Sequence, residues 1–379
     1  MRSPGARAAA AVRRRPMPAV LALVCATALF TATVPLFRGW FDLYVYYGTV
    51  HSWVWHGGRI YDFVVPGTQY GFTYPPFAAV CMLPLALMSR PVAVGAALAL
   101  NVAASAVIVR ALLGRMSGWR GYAVVGCLFL LLEPVRDTFS FGQVNLVLLA
   151  LVLCDSRLGR WSGAATGLAA AFKLTPALFV LHLLLTGRRR QAAVAAATAV
   201  AATALGWLVA PGPSARYWAR ELWHTDRVGA PGYVSNQSLR GVLARLGDPG
   251  GTALWALAVL VVLCVWARRV RRADHRTGIA LTGAAACLVS PVTWVHHLVW
   301  LLPALALLVR SGRYARSAVA HVLLCSSVVW IWRFDASGPL GFLGSNAYVW
   351  LAVWLLASSP RPAAPAAAQS RWRGAWDAP

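Results

Sequence analysis

The chain is organised as long apolar runs punctuated by arginines. The runs Ala19–Phe37, Phe72–Met88, Pro91–Leu113, Ala192–Ala210, Thr252–Trp266, Gly278–Val309 and Ala318–Trp332 approach or exceed the roughly 20 apolar residues that cross a hydrocarbon core of about 30 Å, and they predict transmembrane helices. Tyr348–Ala357 is a shorter terminal candidate. Gly278–Val309 is too long for one crossing and is interrupted by Pro291 and Pro303. Roughly nine to twelve helical segments in one domain are therefore expected. The fold class is an all-α polytopic membrane protein.

Two stretches resist this simple reading. Between Arg160 and Arg188, basic residues flank an apolar run of about 27 residues, too short for two full spans. It is either one span or a broken, re-entrant hairpin with Lys173-Leu174-Thr175-Pro176 near its turn, which is tolerable only if buried in protein or lining a cavity. Gly121–Asp155 poses the same question, because Glu133-Pro134-Val135-Arg136-Asp137 divides two rather short apolar runs.

Arginines ahead of the first helix predict a cytoplasmic basic segment at residues 1–16, and the helix is read as a retained span rather than a cleaved signal. The polytopic domain then covers 17–358. Its first loop, 38–71, emerges outside and is dense in tyrosine and tryptophan, as suits helices lying at the headgroup plane. A second polar connection at 211–248 is also placed outside, whereas Arg268–Arg276 is placed inside. Residues 359–379, rich in Pro, Ala, Arg and Trp without periodicity, are expected to be disordered.

Composition strengthens the membrane reading: 59% of the 379 residues are apolar, 12% are charged, and the mean hydropathy is +0.62. The net charge of +24 does not signal nucleic acid. Lys173 is the only lysine, and most arginines punctuate apolar runs in the manner of positive-inside flanks. The seven cysteines stand singly in apolar stretches and read as small packing residues.

Acidic residues number only 11, so a reaction that needs a general base must draw on these or on a histidine. Asp42 lies just beyond the first helix in the aromatic loop, where partial desolvation favours proton acceptance. Lys173, isolated among apolar residues, either snorkels to an interface or pairs with an anion such as a lipid phosphate. His296 and His297 point in different directions on a helix and make a poor metal pair, but one of them can line a polar cavity. Gln143 and Asn145 suit hydroxyl recognition or interhelical hydrogen bonding. Tyr74-Pro75-Pro76 marks a helix start. No acidic cluster of the DxD kind is present, and no metal or other cofactor is called for.

Several separated segments together resemble glycosyltransferase family 87: Asp42 with Tyr46-Tyr47, Gly58-Arg59-Ile60-Tyr61-Asp62, Tyr70-Gly71-Phe72-Thr73-Tyr74-Pro75-Pro76, Gly142-Gln143-Val144-Asn145, Lys173-Leu174-Thr175-Pro176, Asn236-Gln237-Ser238, and Ser290-Pro291 through His296-His297. Their order and context match across roughly residues 20–355. The resemblance implies a GT-C-type helical bundle and a polyprenyl-phosphate sugar donor, typically polyprenyl-phosphate mannose, used at the outer face of the plasma membrane on a glycolipid or glycan acceptor. It further implies Asp42 as catalytic base, with Lys173, His297 and His296 around the donor phosphate and Gln143, Asn145, Asn236, Gln237 and Tyr74 around sugar or acceptor. Other members transfer arabinofuranose, which leaves the sugar open. The competing class is a transporter or lipid-binding protein whose Lys173 and histidines form a path.

Overall fold

The computed structural model describes residues 16–33, 38–114, 118–223 and 228–358. The basic segment up to Arg15, the tail 359–379, His224 and Asp226 lie outside the described residues. Among the described residues there is no strand, only one isolated bridge between Val64 and Gly71. In chain order the helices are α1 Pro16–Thr33, α2 Phe41–Trp55, α3 Pro76–Met82, α4 Arg90–Leu113, α5 Gly118–Leu131, α6 Glu133–Phe141, α7 Asn145–Cys154, α8 Ala164–Phe172 and α9 Ala177–Leu185. They continue as α10 Arg189–Val209, α11 Pro211–Arg216, α12 Leu239–Arg245, α13 Gly251–Val270, α14 His275–Val289, α15 Leu302–Arg310, α16 Tyr314–Cys325, α17 Gly338–Ser345 and α18 Ala347–Ser358.

These eighteen helices are more numerous and shorter than the apolar runs predict. Among the described residues, α4, α10 and α13 are individually long and apolar enough to cross a membrane, or up to five spans if the bent pairs α6–α7 and α17–α18 each count as one. The cause is local chemistry inside the runs. Phe72–Met88 becomes α3, entered at Pro76, followed by a 3-10 turn at Leu83–Leu87, because proline is accepted at the first turn of a helix but not in its interior. Gly278–Val309 becomes α14, an extended break from Ser290, the 3-10 segment Val295–Leu301, and α15 with Pro303 in its first turn.

The arrangement has two ends. One collects arginines: Arg269 donates to the Ala357 carbonyl at 2.7 Å, Arg313 to Ser358 at 3.1 Å and Arg310 to Leu112 at 3.3 Å. The other gathers the aromatic loop 38–71 and the connection 211–248, joined by the Arg216–Asp62 ion pair at 2.8 Å and the stacked rings of Tyr61 and Tyr217. The central helix α14 runs between the ends and is buried on every side from Thr277 to Leu288, as a helix apolar around its whole circumference must be.

The 160–188 stretch folds back on itself as a helical hairpin. Helix α8 begins at the arginine end, where a Cβ on Gly163 would meet the Gln191 carbonyl of α10 at 2.1 Å. It then ascends beside α10, with Ala171 packed on Ala202. Helix α9 returns, so that His182 stacks on His275 at the start of α14 and Leu183 packs on Ala192 at the start of α10. Lys173 is the tip.

The Gly121–Asp155 stretch also resolves into an elbow. Helices α6 and α7 meet at 116°. Gly142 ends α6 at φ +69°, and a Cβ there would meet the Leu43 Cβ at 2.6 Å, so α2 lies directly over the bend. Two apolar cores result, one around α14 and one beneath α2. Val144 and Phe172 pack against both, which puts the elbow and the hairpin tip at the seam.

Candidate active site

At that seam a cleft of about 200 Å³ opens, bounded by Asp42 and Tyr46 of α2, Tyr74, Gln143 at the elbow, Lys173 at the hairpin tip and His297 of the 3-10 segment. Asp42 and Tyr46 come from the first two turns of α2, and Lys173, Gln143 and His297 are delivered by breaks in helical structure. Lys173 is the extended residue that ends α8, at φ −148° and ψ 133°. Gln143 sits between Gly142 and the start of α7, and His297 follows the break after α14. A helix terminus frees backbone groups and directs side chains away from the bundle, which is why polar residues between apolar runs meet here.

A continuous hydrogen-bond chain joins the two walls. Lys173 Nζ donates to Asn145 Oδ1 at 2.9 Å and to the Tyr74 hydroxyl at 3.3 Å. Asn145 Nδ2 and the Tyr74 hydroxyl reach Gln143 Oε1 at 3.2 and 3.1 Å. Gln143 Nε2 donates to Asp42 Oδ2 at 2.9 Å, and the Tyr46 and Tyr74 hydroxyls are 2.9 Å apart. Lys173 Nζ also stands 3.0 Å from His297 Nε2, while His297 Nδ1 faces the Trp294 N–H at 3.2 Å.

Asp42 and Lys173 therefore share the cleft without a direct ion pair. Burial pushes the Asp42 carboxyl up to about 6, partly offset by the Gln143 hydrogen bond and the Lys173 charge. A carboxylate so tuned is ionised at neutral pH yet basic enough to accept a proton.

The structure brings together Asp42, Tyr74, Gln143, Lys173 and His297 as lining residues, with Asn145 immediately behind Lys173. His296 is not a lining residue: it is 3% exposed and its ring meets Phe141 and His297, with centroids 5.1 and 4.6 Å away. Asn236 and Gln237 also stand apart from the cleft. Asn236 Oδ1 accepts from the Thr293 N–H at 2.9 Å, and its Nδ2 donates to the carbonyls of Pro231 and Pro291. Gln237 Nε2 donates to Val234 and Ser345 carbonyls and its Oε1 accepts from Tyr348 N–H. The Asn236 amide is consumed in bracing the loop that leads to His297, and the Gln237 amide in holding the junction between α17 and α18. Asp62, a possible alternative base, is tied to Arg216 instead.

Thr73, Thr175, Ser290, Trp294 and Tyr46 also line the cleft and were not singled out from the sequence as site residues. Their signal was present: each lies within, or one to three residues from, a motif residue already noted. Among the described residues no group of three His, Cys, Asp or Glu side chains is placed to hold a metal ion.

The model for glycosyltransferase family 87 matches residues 72–291, a range that includes Tyr74, Gln143 and Lys173 and leaves Asp42 and His297 outside. A polyprenol-phosphate-mannose-dependent alpha-(1-2)-phosphatidylinositol mannoside mannosyltransferase of Mycobacterium tuberculosis is 36% identical over 319 residues, covering 76% of this chain and 74% of that protein. The protein of the same description from Mycolicibacterium smegmatis is 38% identical over 271 residues, 63% of this chain and 62% of its own. A phosphatidylinositol pentamannoside mannosyltransferase of the latter organism, likewise polyprenol-phosphate-mannose-dependent, is 37% identical over 308 residues, 77% and 74% respectively. No solved structure matches the chain. On the family match and on relatives aligned over three quarters of its length, the chain belongs to glycosyltransferase family 87 and is a membrane glycosyltransferase.

Proposed function

We propose that this enzyme transfers a mannosyl residue from polyprenyl-phosphate mannose to a glycolipid acceptor of the phosphatidylinositol mannoside class, at the outer face of the cell membrane and with inversion at the anomeric carbon. The observation that carries the reading is the cleft itself: a carboxylate on one wall faces a lysine and a histidine on the other. The activities of the relatives supply the donor and the acceptor class.

In this reading Asp42 takes the proton from an acceptor hydroxyl as that oxygen bonds to the anomeric carbon. The bond from that carbon to the phosphate oxygen breaks, and its electron pair leaves with the lipid phosphate. Lys173, with His297 beside it, receives the anion. A preorganised cation aimed at the leaving group stabilises developing charge without reorganisation. Because Asp42 must be ionised, the rate rises as pH rises through about 6.

The decisive assay offers the purified enzyme labelled polyprenyl-phosphate mannose and, separately, polyprenyl-phosphate arabinose, with phosphatidylinositol mannoside as acceptor. Mannose in a new linkage of configuration opposite to the donor's is expected. Transfer of arabinose alone overturns the sugar assignment, and uptake of either lipid without product favours the transporter class. Sidedness is tested with Asp62→Cys in a cysteine-free background: labelling from outside is expected, and labelling only from the cytoplasm refutes the outer-face site.

A further inference from the structure

The carboxamide of Gln143 has only one orientation compatible with its neighbours, and that orientation is set from the far wall of the cleft. Lys173 Nζ is a donor towards Asn145, whether as an ammonium or as an amine whose one lone pair faces His297 Nε2, so the Asn145 atom 2.9 Å from it is the oxygen. The other end of the Asn145 amide, Nδ2, is thereby turned on Gln143 at 3.2 Å. The backbone N–H of Val144 approaches the same Gln143 atom at 3.3 Å. Two donors facing one atom make it the carbonyl oxygen, and the Tyr74 hydroxyl adds a third donor at 3.1 Å. The NH₂ group is then left for Asp42 Oδ2, and Oδ1 remains available to the cleft that Asp42 lines.

The geometry points to Gln143 as a positioning residue for Asp42, locked by Asn145 and Lys173, rather than as a ligand of sugar or acceptor hydroxyls. The assignment rests on Asp42 being the base. Its consequence is that Oδ1 is the proton-accepting atom, and that the cation which receives the phosphate also sets the direction of the dipole at the base. The titratable groups around Asp42 are Tyr46 on its own helix, Tyr70 and Tyr74 from the following segment, and Lys173 and His297 across the cleft.

The test is the acid limb of the pH profile of kcat/KM, measured on Gln143→Glu and Asn145→Ala. In Gln143→Glu the three donors still hold one oxygen, and the second oxygen meets Asp42 Oδ2, so the two carboxyls share a proton. The limb should move up by at least about one pH unit, with activity partly restored at alkaline pH. In Asn145→Ala the amide loses one of its three donors and is held less firmly, and a smaller upward shift is expected. That variant carries the test if Gln143→Glu fails to accumulate. A limb unmoved in the variants that accumulate, with the loss confined to acceptor KM, overturns the assignment and returns Gln143 to hydroxyl recognition. Wild-type turnover in Asp42→Asn overturns the base reading itself, a result separable from both.

Discussion

Asp42 and Asp155 are carboxylates near opposite ends of the same polar architecture, and their surroundings differ in a way that separates chemistry from scaffolding. Asp155 follows α7 at the arginine end and is 5% exposed. Its Oδ2 accepts from Gly163 N–H at 2.7 Å and the Thr166 hydroxyl at 3.1 Å, and its Oδ1 from Ala165 N–H at 2.9 Å and Thr166 N–H at 3.4 Å. It caps the otherwise orphaned N-terminus of α8, where negative charge is favoured. Among the described residues, Asp42 has one protein donor on one oxygen and a cleft before the other. A saturated carboxylate holds the hairpin that carries Lys173, whereas an undersaturated one keeps a lone pair towards the cleft, as the proposed base requires.

The sharpest way to break this contrast is Asp42→Asn. The amide keeps size and most hydrogen bonding but accepts no proton at neutral pH, so turnover should fall on the order of 10²–10⁴-fold with donor affinity much less affected. Normal insertion with wild-type transfer would remove Asp42 from the mechanism. Next in size is Lys173→Ala, expected to lower kcat/KM for the donor on the order of 10²-fold at normal protein abundance. Unchanged kinetics there would mean that the ammonium has only a packing role.

Asp155→Asn sharpens the comparison from the other side. Its NH₂ group turns on backbone donors it cannot satisfy, costing about 1–3 kcal/mol of stability. The thermal midpoint should drop while turnover per folded molecule stays near wild type. A turnover loss without destabilisation would make Asp155 more than a cap. The smallest effect is a stability signature of Asp42. An unfolded Asp42 ionises near 3.8 and the folded group near 6, so the unfolded state loses its proton first and stability falls as pH rises between those values. Asp42→Asn should therefore melt somewhat above wild type at pH 8, with the gain gone at pH 4. An equal difference at both pH values would show that the carboxylate carries no such cost.

The residues themselves determined the helical membrane class, because the length and apolarity of a run are local properties and decide whether it tolerates a bilayer. They also marked Asp42 and Lys173, one acid in an aromatic loop and one lysine in an apolar run. Several other features needed the tertiary structure. Whether residues 160–188 cross or turn back depends on Gly163 and His182 meeting α10 and α14 at the same end. The family resemblance placed Asn236, Gln237 and Gln143 alike around sugar or acceptor, but their partners divide them: Asn236 braces the loop ahead of His297, Gln237 holds the junction of α17 and α18, and Gln143 faces Asp42 across 101 residues of chain. An amide presents a donor at one end and an acceptor at the other, so its role is set by what lies opposite each end. For Gln143 the acceptor its NH₂ faces, Asp42, lies on a distant segment and reaches it only in the folded chain.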